Sequence, residues 1–122
     1  MLAAAFVIFS IVVLLGAGLA VVNLRTTVFP PPRPLAALHG LLGIGGLCCL
    51  ALALRGPPRG LAQGTTSFGI VAAALITLAA LLGGGFLAAY FFKKRITGTM
   101  IGIHAALAVS GFVILAAYIF VG

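Results

Sequence analysis

The sequence predicts an all-α integral membrane protein, folded as a four-helix up-down-up-down bundle that is built from a duplicated helical hairpin. Two features of the composition lead to this class: 64% of the 122 residues are hydrophobic and only 6% are charged. A soluble domain needs a charged surface of mixed sign, which so few charges cannot supply. The third observation is that the apolar residues form four long runs. Each run has the ~20 residues that a helix needs to cross ~30 Å of hydrocarbon.

The four predicted spans fill the chain, so residues 1–122 form a single transmembrane domain. The spans are expected at residues 2–24, 35–54, 66–92 and 99–121. Helix is expected in each because a span has no water to satisfy its backbone groups. Proline residues interrupt the chain at 30–32 and 34, a Gly/Pro cluster interrupts it at 56–60, and Gly98 lies in the third link. Because the links are short, neighbouring helices should pack antiparallel.

The charges are all of one sign, since the chain has seven Lys and Arg and no Asp or Glu. This excludes carboxylate general bases, carboxylate metal sites and proton pumps built on intramembrane acids. No residue set is suited to bond-making chemistry, so the chain is not expected to be an enzyme by itself. The basic residues lie in short clusters between apolar runs, which is typical of membrane flanks and not of a nucleic-acid surface.

The distribution of basic residues predicts the orientation in the membrane. The first and third links carry five of the seven basic residues, and the second link carries Arg55 and Arg59. Since Lys and Arg accumulate on the cytoplasmic side, links 25–34 and 93–98 should be cytoplasmic and both termini outside. A bacterial inner membrane is the expected location.

An internal repeat brings the only two histidines into register. When the sequence is shifted by 65 residues, the second span falls on the fourth and five of twenty positions are identical. The identical pairs are His39/His104, Leu42/Leu107, Gly46/Gly111, Leu50/Leu115 and Ala51/Ala116. The histidines should therefore lie at one depth on diagonal helices of the bundle.

Small residues follow each histidine on the same helical face. Gly43 and Gly46 lie four and seven residues after His39, and Ala108 and Gly111 lie at the same offsets after His104. One interpretation is close packing of helices, with the histidines bonding between them. The other is a slot for a flat cofactor. Both remain open, and the second is the preferred hypothesis.

The preferred cofactor is one haem b. Two neutral imidazoles on opposite sides of one iron make a six-coordinate centre, so His39 and His104 are the predicted metal ligands. Gly43, Gly46, Ala108 and Gly111 would line the macrocycle. The propionates need cations near the cytoplasmic surface, which Arg33, Lys94 and Arg95 could supply.

The four-span architecture, with His39 and His104 and with Gly46 and Gly111, resembles the membrane b-type cytochromes in which histidines on alternate helices of a four-helix core hold haem. The sequence is also similar to short bacterial four-span proteins with an HGLLG or HAALAV element. Members with two haems need four histidines, and here there are two, so the resemblance implies one haem at most. One haem near one face does not connect the two sides of a membrane, so an electron-transfer subunit of a larger redox or energy-transducing complex is expected. Its partners would be lipid, other membrane subunits and a quinone.

Two other classes compete with this hypothesis. One is a cofactor-free structural or assembly subunit of a membrane complex, and the other is a pigment-binding subunit in which each histidine binds a separate chlorophyll. Elsewhere in the spans, Cys48 and Cys49 are expected to pack in the core. Ser110 is expected to bond to the carbonyl four residues before it.

Overall fold

A computed structural model describes residues 1–25, 33–92, 94 and 96–122. The described residues form helices and connecting turns, without strands. The helices are α1 (Leu2–Arg25), α2 (Arg33–Leu54), α3 (Phe68–Phe91) and α4 (Gly98–Phe120). Each is long and apolar enough to cross a membrane, which indicates an integral membrane protein. The all-helical prediction is confirmed for the described residues, and each helix begins and ends within two residues of the predicted span.

The helix ends follow local sequence chemistry. Pro34 lies in the first turn of α2, where a missing N–H costs no intrahelical bond. Thr97 precedes α4 and accepts a hydrogen bond from the backbone N–H of Met100 at 3.3 Å. Arg25 lies in the last turn of α1, where a cation complements the helix dipole.

The four helices pack in a closed ring. α1 contacts α2 and α4, and α3 contacts the same two helices. Among the described residues, no Cα atom of α1 comes within 8 Å of α3, and none of α2 comes within 8 Å of α4. α2 and α4 are therefore diagonal across the bundle.

The buried core occupies one half of this bundle. Its members come from all four helices and carry apolar side chains: Ala5, Phe9, Leu50, Ala72, Ile76, Leu115 and Tyr118. Leu50 and Leu115 are the largest fully buried side chains among the described residues. They occupy equivalent positions under the shift of 65 residues.

The other half of the bundle holds no buried residue in the part of the chain that the structure describes. This half comprises residues 10–23, 25, 34–45, 80–92 and 96–110, whose described side chains are all exposed or half-buried. Both histidines lie in it. The difference in burial places the tight packing at one end and the candidate site in the less densely filled end.

The link between α2 and α3 closes the core end. Gly60 and Gly64 adopt φ values of 70° and 69°, which favour glycine. The backbone N–H of Thr65 donates to the carbonyl of Gly60 at 3.0 Å, and a Cβ on Gly60 would overlap the Thr65 hydroxyl. The Gly/Pro-rich segment predicted as a helix breaker is therefore an ordered turn.

Two side-chain predictions were wrong. Cys48 is exposed on the outside of α2, and only Cys49 packs against the core, because consecutive helical residues point about 100° apart. The hydroxyl of Ser110 is exposed and makes no hydrogen bond to the described residues. The hydroxyls of Ser10 and Thr77 do donate to carbonyls four residues earlier, at 2.9 and 2.7 Å.

Candidate functional site

The two histidines meet inside the bundle although their helices are diagonal. The ring centroids of His39 and His104 are 6.1 Å apart, with an angle of 63° between the ring planes. Both residues are half-buried. The two side chains therefore approach each other across the bundle, although the described residues of α2 and α4 do not pack directly against each other.

Each imidazole is held by a backbone carbonyl of the preceding helix. Nδ1 of His39 lies 3.0 Å from the carbonyl oxygen of Val12, and Nδ1 of His104 lies 2.8 Å from that of Ala79. A carbonyl only accepts, so the hydrogen bond places the proton of a neutral ring on Nδ1. Nε2 then keeps its lone pair. Nε2, on the other side of Cε1, is not the atom that the carbonyl engages.

This arrangement is the one that metal-binding histidines commonly have. A ligating imidazole usually donates its other N–H to a carbonyl or carboxylate, which fixes the tautomer and the ring orientation. The described residues show no hydrogen bond between the rings of His39 and His104. Each ring thus keeps one unprotonated nitrogen that is not engaged by a hydrogen bond to the described residues.

A glycine lies beneath each ring. A Cβ on Gly16 would be 2.9 Å from Cε1 of His39, and a Cβ on Gly83 would be 3.3 Å from Cε1 of His104. Real Cβ atoms essentially never approach as closely as the first of these distances. The His39 ring can therefore occupy its position only because Gly16 carries no side chain, and a side chain at Gly83 would require the His104 ring to shift by a few tenths of an ångström.

The two halves of the site correspond position by position. A shift of 65 residues relates His39 to His104 and Gly46 to Gly111. A shift of 67 residues relates their partners on α1 to those on α3, namely Phe9 to Ile76, Val12 to Ala79 and Gly16 to Gly83. The surroundings differ at one aromatic ring: Phe86 lies 5.4 Å from His104 between ring centroids, and Leu19 occupies the equivalent position on α1.

The small residues predicted to line a cofactor fall into two groups. Cβ atoms on Gly46 and Gly111 would meet the Phe9 ring at 2.9 Å and Ile76 Cγ1 at 2.7 Å. The volume beside these two glycines is therefore filled by the neighbouring helix. A Cβ on Gly43 would have no atom within 4 Å.

Ala108, the remaining predicted lining residue, is half-buried. Of the three predicted counter-charges, Lys94 is exposed in the link between α3 and α4. Arg33 begins α2, but its side chain lies outside the described part of the structure, as does all of Arg95.

The histidine pair supplies two ligands and no more. No cluster of three or more His, Cys, Asp or Glu able to hold a metal ion occurs among the described residues. Any higher coordination number would have to come from the bound molecule itself, as the four nitrogens of a porphyrin would provide.

The sequence did not identify Val12, Ala79, Gly16 and Gly83 as parts of the site. Main-chain carbonyls have no residue signature, so Val12 and Ala79 could not be found by type. A comparison of α1 with α3 at a shift of 67 residues would have matched Gly16 with Gly83.

No family model matches the chain, and neither a curated protein nor a solved structure gives a significant match.

Proposed function

We propose that this chain is a membrane-embedded b-type cytochrome subunit that holds one haem between His39 and His104. The observation that carries the proposal is the paired histidine geometry. Both Nδ1 atoms are engaged by carbonyls, which leaves each Nε2 unprotonated, and the ring centroids are 6.1 Å apart. The type of ligand, its tautomer and the spacing of the rings are features that a bis-imidazole centre requires.

The spacing supports a single ion between the rings. A ring nitrogen lies about 1.2 Å from its centroid, so two imidazoles that bind one ion from opposite sides at ~2.0 Å each have centroids about 6.4 Å apart. The observed separation of 6.1 Å is close to this value. A pigment-binding subunit, in which each histidine binds a separate chlorophyll, would need histidines that face outward from each other.

The packing also favours a bound group at this end of the bundle. The half that contains the histidines has no buried residue among those described, whereas the other half is filled by the core cluster. Gly16 and Gly83 let each imidazole lie against the neighbouring helix, and a Cβ on Gly43 would meet no atom within 4 Å. A porphyrin needs loosely filled space of this kind beside its ligands.

Each protein group has a defined role in this proposal. A bound haem would supply an iron that carries one electron, and two histidine ligands leave it no vacant position, which favours electron transfer over oxygen activation. The carbonyls of Val12 and Ala79 hold the imidazole rings and raise the basicity of Nε2. Lys94, together with Arg33 and Arg95, would neutralise the propionates.

The wider arrangement is part of the same proposal. His39 lies beside Gly16 whereas Gly46 lies beside Phe9, so residue numbers rise along α2 as they fall along α1. His104 and Gly111 contact Gly83 and Ile76 in the same sense. These contacts support an up-down bundle formed by a duplicated hairpin. We place links 25–34 and 93–98 on the cytoplasmic side of a bacterial inner membrane, beside other subunits of a redox complex and a quinone.

The direct test is a pyridine haemochrome spectrum of the full-length chain, purified in detergent from cells supplied with haem. The expected result is a b-type spectrum with one haem per chain. A folded, monodisperse sample without a Soret band would refute the proposal.

A side chain at Gly16 is expected to impair haem binding. In Gly16→Ala, the new Cβ would lie 2.9 Å from Cε1 of His39, so the ring must turn away and its bond to Val12 must lengthen. We expect a weaker low-spin signal and roughly 10–100-fold weaker haem retention, as for other losses of ligand orientation. Haem transfer to apomyoglobin measures this retention.

Gly18→Ala is the matched control because it adds the same methyl group to the same helix, where no atom lies within 4 Å. It should retain haem as the native chain does. Equal haem retention in Gly16→Ala and the native chain would show that the His39 orientation is unimportant.

A cofactor-free structural subunit is the second candidate. The close contacts of Gly46 with Phe9 and of Gly111 with Ile76 favour it, because they use the small residues for helix packing. In that case His39 and His104 would serve only to bond neighbouring helices. Absence of haem after reconstitution with haemin would favour this candidate.

A further inference from the structure

We propose that the histidine pair, in chains without porphyrin, binds a bare monovalent copper ion in a linear two-coordinate site. Nε2 of His39 and Nε2 of His104 are the two ligands. This inference does not rest on the haem proposal, since it needs only the two oriented imidazoles.

The number of ligands selects the type of ion. Zinc in proteins takes four ligands, and calcium and magnesium take six or more oxygens. The described residues supply no third His, Cys or acidic side chain to this pair. A d¹⁰ monovalent ion such as Cu(I) is stable with two nitrogen ligands on opposite sides, and imidazole is a suitable ligand for copper.

The absence of acidic residues also favours a monovalent ion. The chain has no Asp or Glu, so no carboxylate can neutralise a cation inside the bundle. The cost of moving an ion from water into a low-dielectric interior rises with the square of its charge, so a dication is penalised about four times as much as a monovalent ion. Neutral ligands without a counter-ion therefore favour Cu(I) over Zn(II) or Cu(II).

The geometry meets the remaining requirement. The centroid separation of 6.1 Å is close to the ~6.4 Å needed when one ion lies between two nitrogens at ~2.0 Å from each. Both rings are fixed by their bonds to Val12 and Ala79, so little side-chain freedom is lost on binding. Gly16 and Gly83 allow each ring to stay against its helix.

The test uses the full-length chain produced without haem, titrated anaerobically with Cu(I) in competition with a chromophoric Cu(I) chelator. The expected result is one ion per chain. X-ray absorption of the complex should show two nitrogen neighbours and the edge feature of linear Cu(I). Zn(II) offered at the same concentration should not bind.

Variants identify the ligands. His39→Ala and His104→Ala should each weaken Cu(I) binding by more than the roughly 10–100-fold that loss of an outer partner costs. The double variant Cys48→Ser/Cys49→Ser should bind as the native chain does, which excludes the free thiols as the site. Circular dichroism of each variant verifies that the helices remain.

The copper result stands apart from the haem result. A b-type spectrum without Cu(I) binding by the haem-free chain overturns this inference alone, and Cu(I) binding without haem uptake overturns the proposed function alone. Copper that persists in both histidine variants, or a three- or four-coordinate spectrum, also overturns it. Silver(I) also prefers two ligands on opposite sides. It should prevent uptake of haemin if silver and the haem iron bind the same two histidine nitrogens.

Discussion

Replacement of His104 by alanine is expected to abolish the six-coordinate haem spectrum. The iron would keep His39 as its only axial ligand and become five-coordinate and high-spin, because no other described His or Cys lies within reach. Optical and electron paramagnetic resonance spectra of the oxidised protein measure the change of spin state. Carbon monoxide, which the native centre should not bind, should bind to the reduced variant.

His39→Ala should have the same effect, since its ring is held in the same way on the opposite side. Free imidazole added to either variant should restore the low-spin spectrum by occupying the vacated position. Cys48→Ala is the control, because Cys48 is exposed on the outer surface of α2 and should leave the spectrum unchanged. A low-spin spectrum in both histidine variants would show that other residues bind the iron.

Most of the fold could be predicted from composition and breaks in the sequence. The four apolar runs gave helix bounds within two residues, because a membrane span allows almost no other structure and its ends are marked by Pro, Gly and basic residues. The division of the bundle into a filled half and a loosely packed half could not be predicted. Large apolar residues are exposed as well as buried along these helices, so polarity does not distinguish Leu50 in the core from Leu41 on the surface.

The site was predicted as far as side-chain type could show it. The shift of 65 residues paired His39 with His104, and the structure brings these rings together. The carbonyls of Val12 and Ala79 could not be predicted as partners, since every residue has a backbone carbonyl. Gly16 and Gly83 were missed because α1 and α3 repeat at 67 residues, so the single shift that aligned α2 with α4 put them out of register.

The glycines after each histidine show why a small-residue pattern has no single meaning. Gly43 and Gly46 share a helical face, yet one faces open space and the other contacts Phe9. Sequence spacing gives the face but not the side chain that the neighbouring helix places there. The contacts therefore assign Gly46 and Gly111 to helix packing, while their predicted role beside a cofactor stays a prediction.

Gly111→Ala is expected to destabilise the bundle strongly. The new Cβ would lie 2.7 Å from Cγ1 of Ile76 and 3.2 Å from two backbone atoms of α3, the carbonyl oxygen of Ala72 and the amide nitrogen of Ile76. Backbone atoms cannot turn aside, so α3 and α4 must separate and the core around Leu115 must loosen. Overpacking of this kind costs roughly 1–3 kcal/mol. Unfolding in mixed micelles of increasing dodecyl sulfate content measures the loss.

Gly102→Ala is the matched control on the same helix, because it is exposed and a Cβ there would meet no atom within 4 Å. It should change stability by less than about 0.5 kcal/mol. Gly46→Ala should fall between the two, since its Cβ would meet side-chain atoms of Phe9 and Ile8 and no backbone atom. Unfolding should be measured on the haem-free chain, because this distinguishes a role of Gly111 in helix packing from a role beside the cofactor. If Gly111 serves helix packing, its replacement by alanine lowers the stability of the haem-free chain. If it only lines a cofactor, the replacement leaves that stability unchanged and lowers the haem content alone.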